Sequence, residues 1–331
     1  MPKQSVNQVT VKTGGKLYIA GEYSVLTAGQ TALIQFIPIF MSAEVKEAPS
    51  TQLSSDMFDY SVGREPDANY ALIQEALNTL EAFCGEKLPA LDLSITGKLE
   101  RDGVKFGIGS SGSVVVLTLK ALAAALQKDL SKDILFKLAS YILLKQGDNG
   151  SMGDLACIVY EDLISYRSFD RAKIAELIDQ ITLTELLEKD WGYRISPVVP
   201  VLKAHFLVGW TKQAAISKDM VKMAKSRISS TYLSETEVAV QDAIKALETG
   251  NKNLLKSSLQ TVSDQLESLS PDIYVAKLKK LKEAEQGLDA IAKSSGAGGG
   301  DCGIAFAFDQ ASRDTLVERW QEEGIELLYD V

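Results

Sequence analysis

The sequence predicts an α+β fold in two domains, on three observations. Its 331 residues exceed what a single hydrophobic core usually serves. Its first part opens with segments that alternate apolar and polar residues at the period of a strand. Its second part is dominated by long helical periodicity, closed by a strand, a helix and a strand. Hydrophobic residues make up 46% and charged residues 24%, a globular balance that excludes disordered and fibrous classes.

Taken in order, Val6 to Lys12, Lys16 to Ala20 and Leu33 to Glu44 are expected strands. Asp67 is the expected N-cap of a helix from Tyr70 to Phe83, with Gly85 as its stop, and Leu91 to Thr96 is a further strand. Helices are expected over Ser113 to Gln127 and Lys132 to Gln146, the second capped by Ser131. Leu155 to Arg167 and Ile195 to Val201 read as extended, with helices Arg171 to Asp179 and Leu183 to Lys189 between them. The pairs Ser196-Pro197 and Val199-Pro200 disfavour helix and mark a break, which divides the chain into expected domains 1-199 and 200-331. Beyond it lie a strand, Ala204 to Trp210, and a helical region from Ser217 to about Lys293, broken near Ser229-Ser230, Gly250 and Ser270-Pro271. A loop from Ser294 to Asp301, a strand Gly303 to Phe308, a helix Ser312 to Glu323 and a strand Ile325 to Tyr329 end the chain.

A formal net charge of −9, with no run of Lys and Arg, argues against nucleic acid and anionic membrane surfaces as partners. It leaves a small anion open, because a few lysines and backbone N–H groups converging in one cleft decide binding there. Cys84, Cys157 and Cys302 are scattered without CxxC spacing, and Met1 to Ala20 has no continuous apolar segment of a secretory signal. A reducing, cytoplasmic location is the expectation. Val114 to Leu126 is interrupted by Lys120 and falls short of the ~20 residues of a membrane span, so it reads as a buried helix. With His205 the single histidine, in an apolar strand-like run, zinc chemistry and a Ser-His-Asp triad are excluded as leading classes.

Glycine clustering carries the chemical signal. Gly107-Ile108-Gly109-Ser110-Ser111-Gly112-Ser113 precedes a helix, so its N–H groups and the helix dipole converge on an anion there. The segment also satisfies GxGxxG. However, Arg101 to Lys105 leads into it instead of a buried strand, and a second helix follows the first, so the dinucleotide reading falls below the phosphate-loop reading. A Walker A ending is absent. Lys293 to Asp301 is too compact for a flexible linker and reads as a loop that closes over a ligand. Gly147 to Asp154 places a carboxylate at the end of a glycine turn, where an N-cap is the commonest role. Gly14 to Tyr23 places Lys16 in a strand, a position usually solvated.

Together these segments resemble the three ordered motifs of the GHMP kinase superfamily: Gly15-Lys16 through Gly21-Glu22, Gly107 to Ser113, and Gly296 to Gly300. The resemblance spans the chain. Tyr23, the ending Ser111-Gly112-Ser113, Gly147 to Asp154 and Gly300-Asp301-Cys302 look most like the bacterial phosphomevalonate kinases. The alternatives are a mevalonate kinase or another GHMP small-molecule kinase, and, from a different class, a non-catalytic regulator on the same fold.

The resemblance implies a ribosomal protein S5 domain 2-like N-terminal domain and a ferredoxin-like C-terminal domain with helical additions, with ATP and Mg²⁺ in the cleft between. It implies no nucleic-acid, membrane or obligatory protein partner. Lys16 and Asp154 match the family's catalytic lysine and aspartate. Lys105, Gly107, Gly109, Ser110, Ser111, Gly112 and Ser113 fall on ATP, and Ser111 and Asp154 on the metal. Tyr23, Gly150, Ser151, Ser217, Ser295, Gly296 and Ala297 fall on the acceptor, phosphomevalonate, with Lys212 and Arg194 as lesser candidates. Two departures stand out: Gly14 replaces a common proline, and Ser140 to Gln146 lacks the metal-binding glutamate of mevalonate kinase. Mg²⁺ is then expected to lean on Ser111, Asp154, phosphate oxygens and water. An acceptor phosphate with a second pKa of ~6 needs no strong base, so Asp154 is expected to orient Mg²⁺ or Lys16.

Overall fold

The structure, a computed structural model, describes residues 6–215 and 226–331. Its first sheet is built around an unusually long strand. Strand β1 (Val9–Ala20) pairs antiparallel with β2 (Thr31–Glu47), whose other side takes two partners in succession. After β3 (Gln52–Ser55) and helix α1 (Ala71–Cys84), β4 (Leu91–Thr96) pairs with the end of β2, Ser42 to Glu47. A small hairpin, β5 (Glu100–Arg101) and β6 (Val104–Lys105), leads into helix α2 (Ser110–Ala125). Helices α3 (Lys132–Lys145) and α4 (Gly153–Tyr160) follow, and then β7 (Ile164–Arg167) pairs with the start of β2, Thr31 to Ile34. Helices α5 (Arg171–Ile178) and α6 (Leu183–Glu188) precede the edge strand β8 (Arg194–Pro197).

The second sheet starts at β9 (His205–Trp210). Helices α7 (Ser230–Thr249), α8 (Lys252–Leu269) and α9 (Ala276–Glu283) come next, then β10 (Ala290–Ser294), β11 (Cys302–Ala307), α10 (Gln310–Glu322) and β12 (Glu326–Asp330). The strands run antiparallel in the order β10, β11, β9, β12. No described helix is long and apolar enough to cross a membrane.

Four sequence expectations are corrected. The two segments Val6 to Lys12 and Lys16 to Ala20 form one strand, because Gly14-Gly15 makes a β-bulge between Thr13 and Gly15 and not a turn. Leu155 to Arg167 is not extended throughout: its first half is α4, enclosed so completely that the apolar run shows no helical face. Ala290 to Lys293, expected as the end of a helix, is strand β10, buried at every position and therefore without a period of two. The glycine loop after it thus joins two antiparallel strands. At α1 the N-cap is Tyr70. Asp67 acts one turn earlier, its Oδ1 accepting from the N–H groups of Asn69 and Tyr70 at 2.9 and 3.3 Å. Gly85 in the left-handed region and the Ser131 cap stand as expected.

Helix α2 packs against β1, β2, α1, α3 and α4, which explains why its sequence is apolar nearly all round. Helix α7 crosses to the first sheet, where the Glu237 carboxylate accepts from the Thr31 N–H and hydroxyl, both at 2.7 Å. Glu237→Ala strands both Thr31 donors and is expected to lower the unfolding free energy by about 2 kcal/mol. Chemical denaturation of the two proteins side by side checks this.

Candidate active site

The site begins with the packing of β1 on the segment before α2. The Lys16 N–H donates to the Ile108 carbonyl at 2.8 Å, and a Cβ on Gly15 would lie 2.6 Å from that oxygen. Only glycine permits this approach, which carries the Lys16 side chain alongside Gly109. A Cβ there would sit 3.0 Å from Lys16 Cε and 3.6 Å from Nζ. The Ser113 hydroxyl ties the same seam from below, donating to Gly14 O at 2.9 Å and Gly109 O at 3.0 Å.

Gly109, in the left-handed region at φ 90°, is the N-cap of α2, so the free N–H groups of the first turn open beside Ser110 and the exposed Ser111. On the other side of that turn lies Asp154, in the first turn of α4. A Cβ on Gly112 would stand 3.0 Å from its Oδ2. Enclosure raises the Asp154 pKa above the ordinary carboxylate range, the charge of Lys16 opposes the rise, and that of Asp148 adds to it. Met152, left-handed at φ 65°, turns the chain into α4. Ser151 just before it is fixed by three bonds. Its hydroxyl meets Tyr18 Oη at 2.8 Å and accepts from Gly153 N–H at 3.1 Å, and its carbonyl accepts from Tyr166 at 2.8 Å.

The second sheet closes the site with the loop after β10. The Ser295 hydroxyl donates to Tyr18 O at 2.7 Å and the Tyr23 hydroxyl to Ala297 O at 2.5 Å. Tyr23 itself is held at φ 61°, uncommon for an aromatic residue. Asp301 at the end of the loop accepts from Ala215 N–H at 3.1 Å. Burial raises its pKa, against the opposing charges of Lys16 and Lys105. Lys16, Tyr18, Glu22, Tyr23, Ser151 and Asp154 thereby face Ser295, Gly296, Ala297 and Asp301 across a cavity of about 220 Å³.

The family model described as GHMP kinases N terminal domain matches residues 71–162, and that described as GHMP kinases C terminal matches residues 243–326. The chain belongs to the GHMP kinase family. It is 33% identical to the phosphomevalonate kinase of Streptomyces sp. (strain CL190), over 94% of this chain and 93% of that one. A mevalonate kinase of Pyrococcus furiosus is 22% identical, over 88% of this chain and 83% of that one. The solved Streptococcus pneumoniae phosphomevalonate kinase in complex with phosphomevalonate and AMPPNP is 51% identical. It superposes with a TM-score of 0.96, covering 98% of this chain and 99% of that one.

In this GHMP kinase the cavity gathers Lys16, Asp154, Tyr23, Gly107, Gly150, Ser151, Ser295, Gly296 and Ala297 from four separate stretches of sequence. Gly109, Ser110, Ser111 and Gly112 form the first turn of α2 beside it, Ser113 is buried beneath, and Lys105 stands exposed on β6. Ser217 lies outside the described residues. Lys212 is taken up by an ion pair with Glu326 at 2.9 Å, and Arg194 is exposed on β8. Sequence reasoning missed Tyr18, Glu22, Val25, Leu26 and Asp301 as lining residues. Tyr18 was within reach, since it shares a strand face with Lys16 two residues away. Leu26 carried no signal at all.

The kinase's Gly107 has φ 76°, and a Cβ there would fall 2.3 Å from Asp301 Cβ and 2.4 Å from its Cγ and Oδ2. Gly296 has φ 79° with open space where its Cβ would go. Gly107→Ala is therefore expected to weaken AMPPNP binding about tenfold or more and to destabilise the fold by about 1–3 kcal/mol. Gly296→Ala should show the smaller stability loss of backbone strain alone. Titration calorimetry and thermal melts of the two variants make the comparison.

Proposed function

We propose that this kinase transfers the γ-phosphoryl group of ATP to the phosphate of (R)-5-phosphomevalonate, giving 5-diphosphomevalonate and ADP in the mevalonate route to isoprenoids. The observation that carries this reading is a single cavity. It sets Lys16 and the enclosed carboxylate of Asp154 beside the N-terminus of a helix, with Ser295, Gly296, Ala297 and Asp301 on the wall opposite. The likeness to phosphomevalonate kinases over nearly the whole chain supports the choice of acceptor. The domain division 1-199 and 200-331 belongs to the same proposal, with β8 ending before it and β9 starting after it.

Phosphoryl transfer asks for positioning and for neutralisation of spreading negative charge more than for covalent help. Backbone donors of the first turn of α2 would hold the ATP phosphates, and Lys16 would neutralise the transferring group. An oxygen of the acceptor phosphate forms the new bond to the γ-phosphorus as the bond to the β–γ bridging oxygen breaks and ADP leaves. Because the acceptor phosphate has its second pKa at ~6, it is mostly dianionic at neutral pH and gives up no proton in the step. Asp154 then has a positioning role.

Mg²⁺ fits this donor set. Asp154 supplies one carboxylate against Gly112, the residue after Ser111, and no cluster of three His, Cys, Asp or Glu occurs among the described residues. One carboxylate, one hydroxyl and substrate phosphates suit a hard cation that keeps some of its water. Asp154 and Ser111 would hold the ion, which would supply further neutralisation of phosphate charge.

An ADP-release assay with phosphomevalonate, mevalonate, galactose and homoserine in parallel tests the reading. Turnover is expected with phosphomevalonate at least ~10²-fold above the others, a margin that follows from a site built to pair a phosphate. Turnover with none of them would leave only a non-catalytic role.

Asp154→Asn is expected to lower kcat by about 10²-fold or more at every pH measured. A loss confined to pH above the titration of that carboxyl would make it a base instead. The same substitution should stabilise the fold at neutral pH. The folded-state pKa of Asp154 is raised, so its favourable contribution exists below the unfolded pKa and is lost as pH rises through the folded one. The difference in melting temperature between Asp154→Asn and wild type should shrink as pH is lowered below the ordinary carboxylate range.

A further inference from the structure

Lys293 is the penultimate residue of β10 and has no accessible surface, and its Nζ meets Glu22 Oε1 at 2.5 Å and Ser294 O at 2.6 Å. Glu22 is 3% exposed, lines the cavity, and leaves its Oε2 without a hydrogen-bond partner. This ion pair joins the two sheets across 271 residues of sequence. Three hydrogen bonds run alongside it. Tyr232 in α7 donates to the Glu22 carbonyl at 3.2 Å, and Ser295 donates to Tyr18 O and Tyr23 to Ala297 O, as above. Burial pushes the Lys293 pKa down, and Glu22 is the group that opposes this. Two charges so fully removed from water contribute little net stability. Their best-attested use is to fix register between packed elements.

The register at stake is that of two segments which meet at the cavity. One is Lys16 to Tyr23, carrying the lysine that faces the phosphate loop. The other is Ser295 to Ala297, carrying the opposite wall. A hydrophobic contact between sheets would tolerate sliding by a fraction of an ångström, whereas a directional pair closed on both sides by hydrogen bonds would not.

We propose that Lys293 is a positioning residue for phosphoryl transfer: through Glu22 it locks the strand that bears Lys16 in register with the Ser295–Ala297 wall. The inference rests on the kinase reading above, and wild-type turnover of phosphomevalonate is its control. Loss of that control would fail the reading itself, whereas a normal wild type with indifferent variants fails only this inference.

Two variants preserve packing while altering the pair. Glu22→Gln with Lys293→Met replaces it by a neutral pair of similar shape. Glu22→Asp keeps both charges and draws the carboxylate back by one methylene. Steady-state kinetics with phosphomevalonate and ATP, taken well below each variant's melting transition, separate positioning from scaffolding. The double variant is expected to lose about 10²-fold in kcat, and Glu22→Asp about tenfold or more. The KM for ATP should stay within about threefold in both. Binding of phosphomevalonate to the double variant, followed by calorimetry, is expected to weaken, since the Ser295–Ala297 wall is no longer held in register with the strand that bears Lys16. If either folded variant keeps kcat and phosphomevalonate affinity within about threefold of wild type, Lys293 only holds the sheets together and the proposal is overturned. Should the double variant show no cooperative melting, Glu22→Asp decides by the same criteria.

Discussion

The approach of β1 to Ile108 is the contact on which the rest of the site depends. A backbone hydrogen bond of 2.8 Å between Lys16 and Ile108 is possible only because residue 15 has no side chain. With the two backbones in contact, Lys16 lies along Gly109 at the mouth of α2, and the helix N-terminus shares one space with a cation. A wider seam would leave the same residues in the sequence and no joint site.

Around that seam the glycines do different physical work. Gly112 has room for nothing beside Asp154 Oδ2, and Gly107 for nothing beside Asp301, so two carboxylates bracket the phosphate loop at van der Waals distance. Both carboxyl groups are raised in pKa by enclosure and opposed by the charge of Lys16. One lysine therefore sits between two partly desolvated acids. Such a field suits a step in which negative charge arrives with the ligands and must be met by groups already in place.

The second sheet enters this arrangement through one loop and one ion pair. Gly298 and Gly300 press onto the backbones of Ile273 and Gln213, where a Cβ would come within 2.7 and 2.5 Å of a carbonyl oxygen. The loop is thus packed from behind by its own domain while Ser295 and Ala297 reach the first one. Glu22 and Lys293 secure the junction at its most enclosed point.

Much of this was legible in the sequence, for stated physical reasons. Glycine clusters at Gly14–Gly15, Gly107–Gly112, Gly147–Gly153 and Gly296–Gly300 mark places where backbone must come close to something. Their order along the chain was enough to name the family, and it pointed to Lys16 and Asp154, which the fold brings to one cavity. Strand and helix periods located most elements wherever one face meets water. They failed at α4 and β10, which are enclosed on all sides and so lose the alternation that distinguishes helix from strand. Tertiary structure alone decided the partners. That Ser113 serves the seam beneath the loop, that Asp301 stands against Gly107, and that a lysine expected at a helix end is buried against Glu22 all depend on contacts between residues far apart in sequence. A local pattern records which face of an element is apolar. It holds no record of which distant group that face will meet.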